Sequence, residues 1–194
     1  MSRRSRTVLL ALAVLAALSY GAGTASAFEQ TLTSLGNVTF ASGSGGVACR
    51  ITMTATFVNW HELPIEGRRA GSINGVAISG CTGGEVEGVL GLPWEMTELR
   101  VLGTLPSLTG ILVTIRNVAI EFETFLGLIN CLYSGAVGLL IPIVELGGGV
   151  HSFGLGRLLE ATTLGKVSGA AACPLTLTPR GTFRLSPLVP IEII

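Results

Sequence analysis

The sequence predicts an all-β protein, an antiparallel β-sandwich or barrel-like fold stapled by two disulfides. Three observations lead to this prediction. Apolar and polar residues alternate with a period of two, Gly- and Pro-rich turn signals separate short apolar segments, and no segment after residue 27 shows the 3.6-residue period of a helix. The chain also contains four cysteines, an even number that can be consumed entirely by disulfides.

The clearest alternation lies at residues 51–57, which read Ile-Thr-Met-Thr-Ala-Thr-Phe. This pattern is typical of a half-buried strand with one threonine-rich face. Residues 111–122 alternate similarly and are rich in the β-branched residues that favour strands. Further strands are predicted at 31–40, 72–80, 85–91, 94–102, 128–134, 136–146, 157–169 and 181–193. At most a short helical turn is expected, near 60–70 or 157–162.

Residues 125–144 admit a second interpretation. They carry no charge and are long enough for a helix that crosses a membrane. Three glycines, Cys131 and Pro142 interrupt the segment, and a cysteine expected to form a disulfide would then lie in the bilayer. We therefore predict two buried strands joined by a turn at Ser134-Gly135.

The N-terminus predicts export. Arg3, Arg4 and Arg6 precede an apolar run at 7–18, and residues 25–27 read Ala-Ser-Ala, the small-x-small pattern that signal peptidase recognises. The apolar run is shorter than the ~20 residues that span a bilayer. We predict a signal peptide over residues 1–27, cleaved near Ala27, and a single domain over residues 28–194. The mature protein would be extracellular or part of the cell envelope.

Export would place the cysteines in an oxidising compartment, where they form disulfides. Three pairings are open, and we favour Cys49–Cys81 and Cys131–Cys173 because sequential pairing staples each half of the chain locally. Each disulfide would contribute about 4 kcal/mol in the chain-entropy model. No two cysteines have the CxxC spacing of a zinc site, and neither histidine lies in a ligand pattern. The sequence therefore predicts no metal site.

The composition disfavours several functions. Nine basic and twelve acidic residues follow residue 27, which gives a net charge of −3 and argues against binding to nucleic acid. Every acidic residue is Glu, so the Asp that usually binds calcium or orients the histidine of a Ser-His-Asp triad is missing. Neither a Gly-x-Ser-x-Gly motif nor a phosphate loop is present. We predict no cofactor and no catalytic constellation, and we favour a non-catalytic role over an enzymatic one.

Four residues are candidates for ligand contact. Trp60 and His61 lie in an Asn-Trp-His-Glu run, in which the indole ring could stack on a ligand or pack at the edge of the core. Glu121 and Glu123 are spaced i, i+2 and share one face of a strand. Paired carboxylates perform acid–base chemistry in glycosidases, although a solvated strand face accounts for this pair as well. The Glu-Val-Glu at 85–87 has the same spacing and the same two interpretations.

A sparse series of short motifs runs through the chain: Leu92-Pro93-Trp94, Gly103-Thr104-Leu105-Pro106, Cys131-Leu132-Tyr133, Cys173-Pro174 and Gly181-Thr182-Phe183. Together with the Arg- and Ala-rich N-terminus, this series resembles a group of uncharacterised small exported proteins of high-GC actinobacteria, over about residues 45–194. The resemblance implies a secreted or cell-envelope protein with four framework cysteines. It implies no activity and no catalytic residues.

Three functional hypotheses follow. The first is a secreted or cell-envelope module that binds a partner or has a structural role, with self-association, cell-wall contact and lipid contact as the possible interactions. The second is a small extracellular hydrolase that uses Glu121 or Glu123. The third is a carrier of an apolar small molecule or lipid inside a barrel, which requires a closed cavity of several hundred Å³ lined by strand side chains.

Overall fold

In the computed structural model, the structure describes residues 27–43, 45–58, 68–104, 107–124, 129–147 and 150–191. This part of the chain contains strands and no helix, which confirms the all-β prediction. The predicted signal peptide, apart from Ala27, lies outside the described residues. The strands are β1 Phe28–Ser34, β2 Val38–Ser42, β3 Gly45–Phe57, β4 Arg69–Thr82, β5 Glu85–Leu90, β6 Trp94–Thr104, β7 Ser107–Thr124, β8 Ile129–Gly147, β9 Val150–Leu158, β10 Leu164–Gly169, β11 Thr176–Arg180 and β12 Thr182–Ile191.

All the strands belong to one antiparallel sheet, and the pairing partners of its long strands close the sheet on itself. The order β3–β1–β12–β9–β8–β7–β6–β4 returns to β3, so every strand in this closed half has a neighbour on both sides. A second order, β4–β3–β2–β11–β10–β8–β7–β5, forms the open half at the other end of the long strands. Both halves share β3, β4, β7 and β8, which run from one end of the molecule to the other.

A bulge in β7 marks the boundary between the two halves. The register of β7 against β8 shifts between Ile115 and Val118, and Asn117 has a φ of 58°, a left-handed conformation that Asn tolerates better than most residues. Ile111, Val113 and Ile115 are buried before the bulge, whereas the buried residues after it are the even-numbered Val118, Ile120 and Phe122. The sequence predicts one continuous alternation over 111–122, and the structure corrects this to two alternations of opposite parity.

One hydrophobic core extends through both halves of the sheet. The apolar residues of 51–57 point inward and are buried, while their threonines are partly exposed, which confirms the predicted alternation of β3. The centre is filled by large side chains and retains a void of only about 40 Å³. The largest fully buried side chains are those of Tyr133, Phe57, Phe122, Phe153, Phe183, Leu32, Ile73, Met96, Leu139, Ile141, Leu164 and Leu185.

Three strand predictions are corrected by the structure. Residues 129–147 form one strand rather than two, and Gly135 lies inside this strand. A glycine suits this position because β10 approaches closely: a Cβ on residue 135 would come 3.1 Å from the carbonyl oxygen of Thr163. The predicted strand at 157–169 is interrupted by a turn in which the Thr162 hydroxyl donates to the Leu159 carbonyl. The predicted strand at 31–40 is likewise divided into β1 and β2. No helix long and apolar enough to span a bilayer occurs among the described residues.

Both predicted disulfides are present. Cys49 of β3 is bonded to Cys81 of β4, and Cys131 of β8 is bonded to Cys173, which follows β10. The two bonds lie in the open half, where the sheet is not continuous. They therefore add covalent links to the end of the molecule that has the less complete hydrogen-bond network.

Candidate functional site

A cleft of about 520 Å³ opens at the end of the open half. Its walls come from the β2–β3 hairpin, the β4–β5 turn, the neighbouring strands β7 and β8, and the segment from the disulfide loop into β11. The lining residues are Ser42, Gly45, Gly46, Val47, Gly83, Phe122, Cys131, Tyr133, Ala172, Pro174 and Leu177. No charged side chain is among them, so the cleft offers a mainly apolar surface.

Aromatic rings form one wall of this end cleft. Phe122 lies edge-on to Phe40, with ring centroids 5.0 Å apart, and edge-on to Tyr133 at 6.0 Å. These are the separations at which the positive edge of one ring meets the negative face of another. All three side chains are almost fully buried. The wall is therefore part of the packed core.

The two hydroxyl groups in the cleft lining, those of Tyr133 and Ser42, are already hydrogen-bonded within the protein. The Tyr133 hydroxyl donates to the Pro174 carbonyl at 2.9 Å, and the Ser42 hydroxyl donates to the Gly45 carbonyl at 2.7 Å. Burial raises the pKa of Tyr133 above its ordinary value, so the hydroxyl stays protonated and keeps its donor role at neutral pH. A ligand in the cleft would find both hydroxyl protons already donated within the protein.

Each disulfide fixes one side of the cleft. Cys49–Cys81 links β3 to β4, two residues from the lining residues Val47 and Gly83. Cys131–Cys173 links the β8 wall to the 170–175 loop, whose carbonyls at Ala170 and Cys173 also accept hydrogen bonds from the Lys166 ammonium group. The shape of the cleft is therefore set by covalent bonds on both sides.

Gly169 is required where the chain enters the 170–175 loop. Its φ of 123° is a conformation that L side chains rarely adopt. A Cβ at this position would come 2.5 Å from the Asn130 carbonyl oxygen and 2.9 Å from the Cys173 sulfur. The backbone can thus pass close to the disulfide only because residue 169 has no side chain.

The structure places the two predicted glutamates outside the cleft. Glu121 and Glu123 flank Phe122 on β7, and because side chains alternate along a strand they lie on the outer face of the sheet. Glu85 of β5 is opposite Glu123, and Glu121 is opposite Gly88. A bulge between Val86 and Gly88 displaces Glu87, whose carboxyl group is hydrogen-bonded to that of Glu123.

The carboxyl pair changes the titration of Glu123. The hydrogen bond from Glu87 has the largest effect and raises the pKa of Glu123 above 4.5; burial and the negative charges of Glu87 and Glu85 act in the same direction. On the other side of β7, the residue opposite Glu123 is the neutral Asn130. The folded protein therefore holds a proton on this group at pH values at which the unfolded chain has released it.

We expect Glu123→Gln to stabilise the protein most at neutral pH. Because the folded state has the raised pKa, the contribution of Glu123 to wild-type stability is fully present below pH 4.5 and is lost as the pH rises through that raised pKa. The amide removes this loss, so the advantage of the variant should vanish in acid. Urea unfolding at a series of pH values measures the effect. Glu95→Gln, an exposed carboxyl on β6, is the matched control, and parallel curves for wild type and Glu123→Gln would contradict the argument.

Trp60 and His61 lie outside the described residues. Among the residues that the structure describes, no group of three or more His, Cys, Asp or Glu side chains is arranged to hold a metal ion.

Sequence reasoning did not find the cleft, because its lining comes from residues that are far apart in the chain. The available signal was the clustering of glycines beside cysteines, at 45–49 and 81–84, which indicates close backbone packing near a disulfide. The motifs Cys131-Leu132-Tyr133 and Cys173-Pro174 also contribute residues to the lining. Comparisons with models of protein families, with curated proteins and with solved structures give no match. A function for this protein is therefore inferred from the arrangement of the residues that line the cleft.

Proposed function

We propose that the protein is exported and acts as a non-catalytic binding module that holds a small, uncharged, apolar molecule in the end cleft. The observation that supports this proposal most directly is the cleft itself. Its volume of about 520 Å³ lies within the ~300–1,000 Å³ range of small-molecule sites. Its lining is apolar, and its hydroxyl groups donate within the protein.

The chemistry of the lining sets the class of ligand. A charged ligand would lose its hydration in the cleft without gaining an oppositely charged side chain, which is costly. An apolar molecule would instead cover Ala172 and Pro174, the apolar lining residues that are exposed or partly exposed, and release the water that contacts them. The ligand class that fits is therefore a neutral molecule with one to three rings or a short acyl chain.

The covalent framework supports binding as the role of the cleft. Both disulfides hold walls of the cleft in place before a ligand arrives, so little conformational freedom would be lost on binding. The disulfides also support export, because such bonds persist in oxidising compartments. The Ala-Ser-Ala pattern before Phe28 and the resemblance to exported actinobacterial proteins point in the same direction.

The proposal is tested with the uncharged fluorophore N-phenyl-1-naphthylamine, whose emission rises in apolar surroundings. We expect saturable binding to the oxidised protein. Ala172→Trp should weaken that binding by at least about tenfold, a loss of ~1.4 kcal/mol, because the indole ring would occupy the cleft from its exposed loop. Ala171→Trp is the matched control, since residue 171 is also exposed but is absent from the cleft lining.

Two results would contradict the proposal. One is an Ala172→Trp variant that binds the fluorophore as well as the wild type does, which would place the fluorophore elsewhere. The other is the absence of saturable binding for this fluorophore and for neutral fatty alcohols of increasing length. A hydrolase that uses Glu121 or Glu123 has less support, because these side chains lie on the opposite face of β7 from the cleft-lining Phe122.

A further inference from the structure

The strands β4 and β5 follow each other through a two-residue Gly83-Gly84 turn, yet no backbone ladder joins them. β4 pairs with β3 along most of its length, but on its other edge it pairs with β6 only through residues 69–73. β5 pairs with β7 on one edge only. Residues 75–82 and Glu85–Leu90 therefore present unpaired edges that face each other across a gap.

The ends of this β4–β5 gap are closed. At one end is the Gly83-Gly84 turn. At the other end Ile73 of β4 pairs with Trp94 of β6, and the Trp94 indole donates to the Leu90 carbonyl at 2.8 Å. The gap is thus a defined interruption of an otherwise hydrogen-bonded sheet, with fixed strands on either side.

Apolar side chains beside the gap are only partly covered. Val76 and Ile78 of β4 and Val86 and Val89 of β5 pack against the core but remain partly exposed. By contrast Met53, which is opposite Val76 on the fully paired strand β3, is 5% exposed. A strand placed along the gap would cover these side chains as the neighbouring strands cover the rest of the core.

Unpaired strand edges are sites at which an extended segment of another chain can be added. The outer face beside the gap determines the charge that such a segment would carry. Glu85 and Glu87 of β5 are exposed on this face, next to Glu121 and Glu123 of β7. Within the described part of the chain, the salt bridges involve Glu160 and none of these four glutamates.

We propose that the β4–β5 gap accepts an extended basic segment of a partner protein, which adds as a strand along the open edge of β5. Its side chains would alternate, with apolar residues directed inward onto Val76, Ile78 and Val89 and Lys or Arg residues directed outward towards the glutamates. This docking surface uses none of the side chains of the end cleft, so it does not depend on the function proposed for that cleft.

The test uses the oxidised, mature protein and the capped peptide (Lys-Val)₃, whose six residues match the length of β5. We expect saturable binding by isothermal titration calorimetry. The triple variant Glu85→Gln/Glu87→Gln/Glu123→Gln should weaken binding by roughly tenfold, since three ion pairs with the peptide are lost at the surface. The matched control Glu29→Gln/Glu95→Gln/Glu160→Gln removes three other exposed carboxylates and should leave the dissociation constant unchanged.

Two further peptides separate strand addition from simple charge attraction. The peptide (Lys-Pro)₃ has the same charge but lacks half of the backbone N–H donors, and (Glu-Val)₃ has the opposite charge. Both should fail to bind. Equal binding of (Lys-Pro)₃ and (Lys-Val)₃ would overturn the proposed strand addition. Equal binding of (Glu-Val)₃, or full affinity in the triple variant, would overturn the role of the glutamates.

Discussion

Replacing Cys131 and Cys173 together with alanine is expected to lower the free energy of unfolding by about 4 kcal/mol, within the 2–5 kcal/mol range for native disulfides. The bond joins residues separated by 42 positions, so its loss frees a long loop in the unfolded chain. Both cysteines are buried, and the small side chains left behind would also lose packing. Urea unfolding of the oxidised proteins measures the difference.

The same variant should lose affinity for N-phenyl-1-naphthylamine at temperatures at which it is still folded, because the 170–175 loop would no longer be bonded to β8. Cys49→Ala/Cys81→Ala is the matched control for stability, since its residue separation of 32 predicts a nearly equal loss of about 3.7 kcal/mol. A loss well below 1 kcal/mol for the first pair would contradict the entropic argument. It would indicate that the Lys166 and Tyr133 hydrogen bonds hold the loop sufficiently without the disulfide.

Phe122→Ala is expected to lower the free energy of unfolding by about 3–5 kcal/mol, the usual cost of removing a buried aromatic ring. Phe122 is 1% exposed and has edge-on contacts with both Phe40 and Tyr133. Its removal leaves these rings without their partner and opens the end cleft towards the core. Thermal and urea unfolding should both report the loss.

Phe183→Ala is the matched control for Phe122→Ala. Phe183 is equally buried but lines the central void rather than the cleft. The two variants should be similarly destabilised, and only Phe122→Ala should change the affinity for the fluorophore. A change of the same size in both variants would show that the fluorophore responds to general loosening of the core and not to the wall of the cleft.

The sequence predicted the parts of the fold that depend on local alternation and on chain connectivity. Residues 51–57 alternate without interruption, so the buried face of β3 followed directly. The disulfide pairing also followed, because the protein joins cysteines that are consecutive in the chain. Both predictions use information that is local in the sequence.

The failed predictions concern residues whose role is set by a distant neighbour. Gly135 was predicted to lie in a turn, but it is small because Leu164 and the Thr163 carbonyl pack against it. The strand β11 was not predicted, because its five residues alternate too briefly to stand out. Glu121 and Glu123 were correctly expected to share a face, but the proximity of Glu85 and Glu87 depends on the pairing of β5 with β7.

The bulge at Arg116 and Asn117 constrains how this sequence can change over evolutionary time. Because the inward-facing positions of β7 are odd before the bulge and even after it, deletion of one residue there would restore a single parity. The buried side chains of both halves could then face inward along one regular strand, so the buried pattern itself is compatible with loss of the extra residue. Substitutions at residue 117 that suit a left-handed backbone, such as glycine or aspartate, should therefore be tolerated in homologues that keep the bulge, homologues that lack one residue here should have a regular strand, and β-branched residues should be rare at position 117.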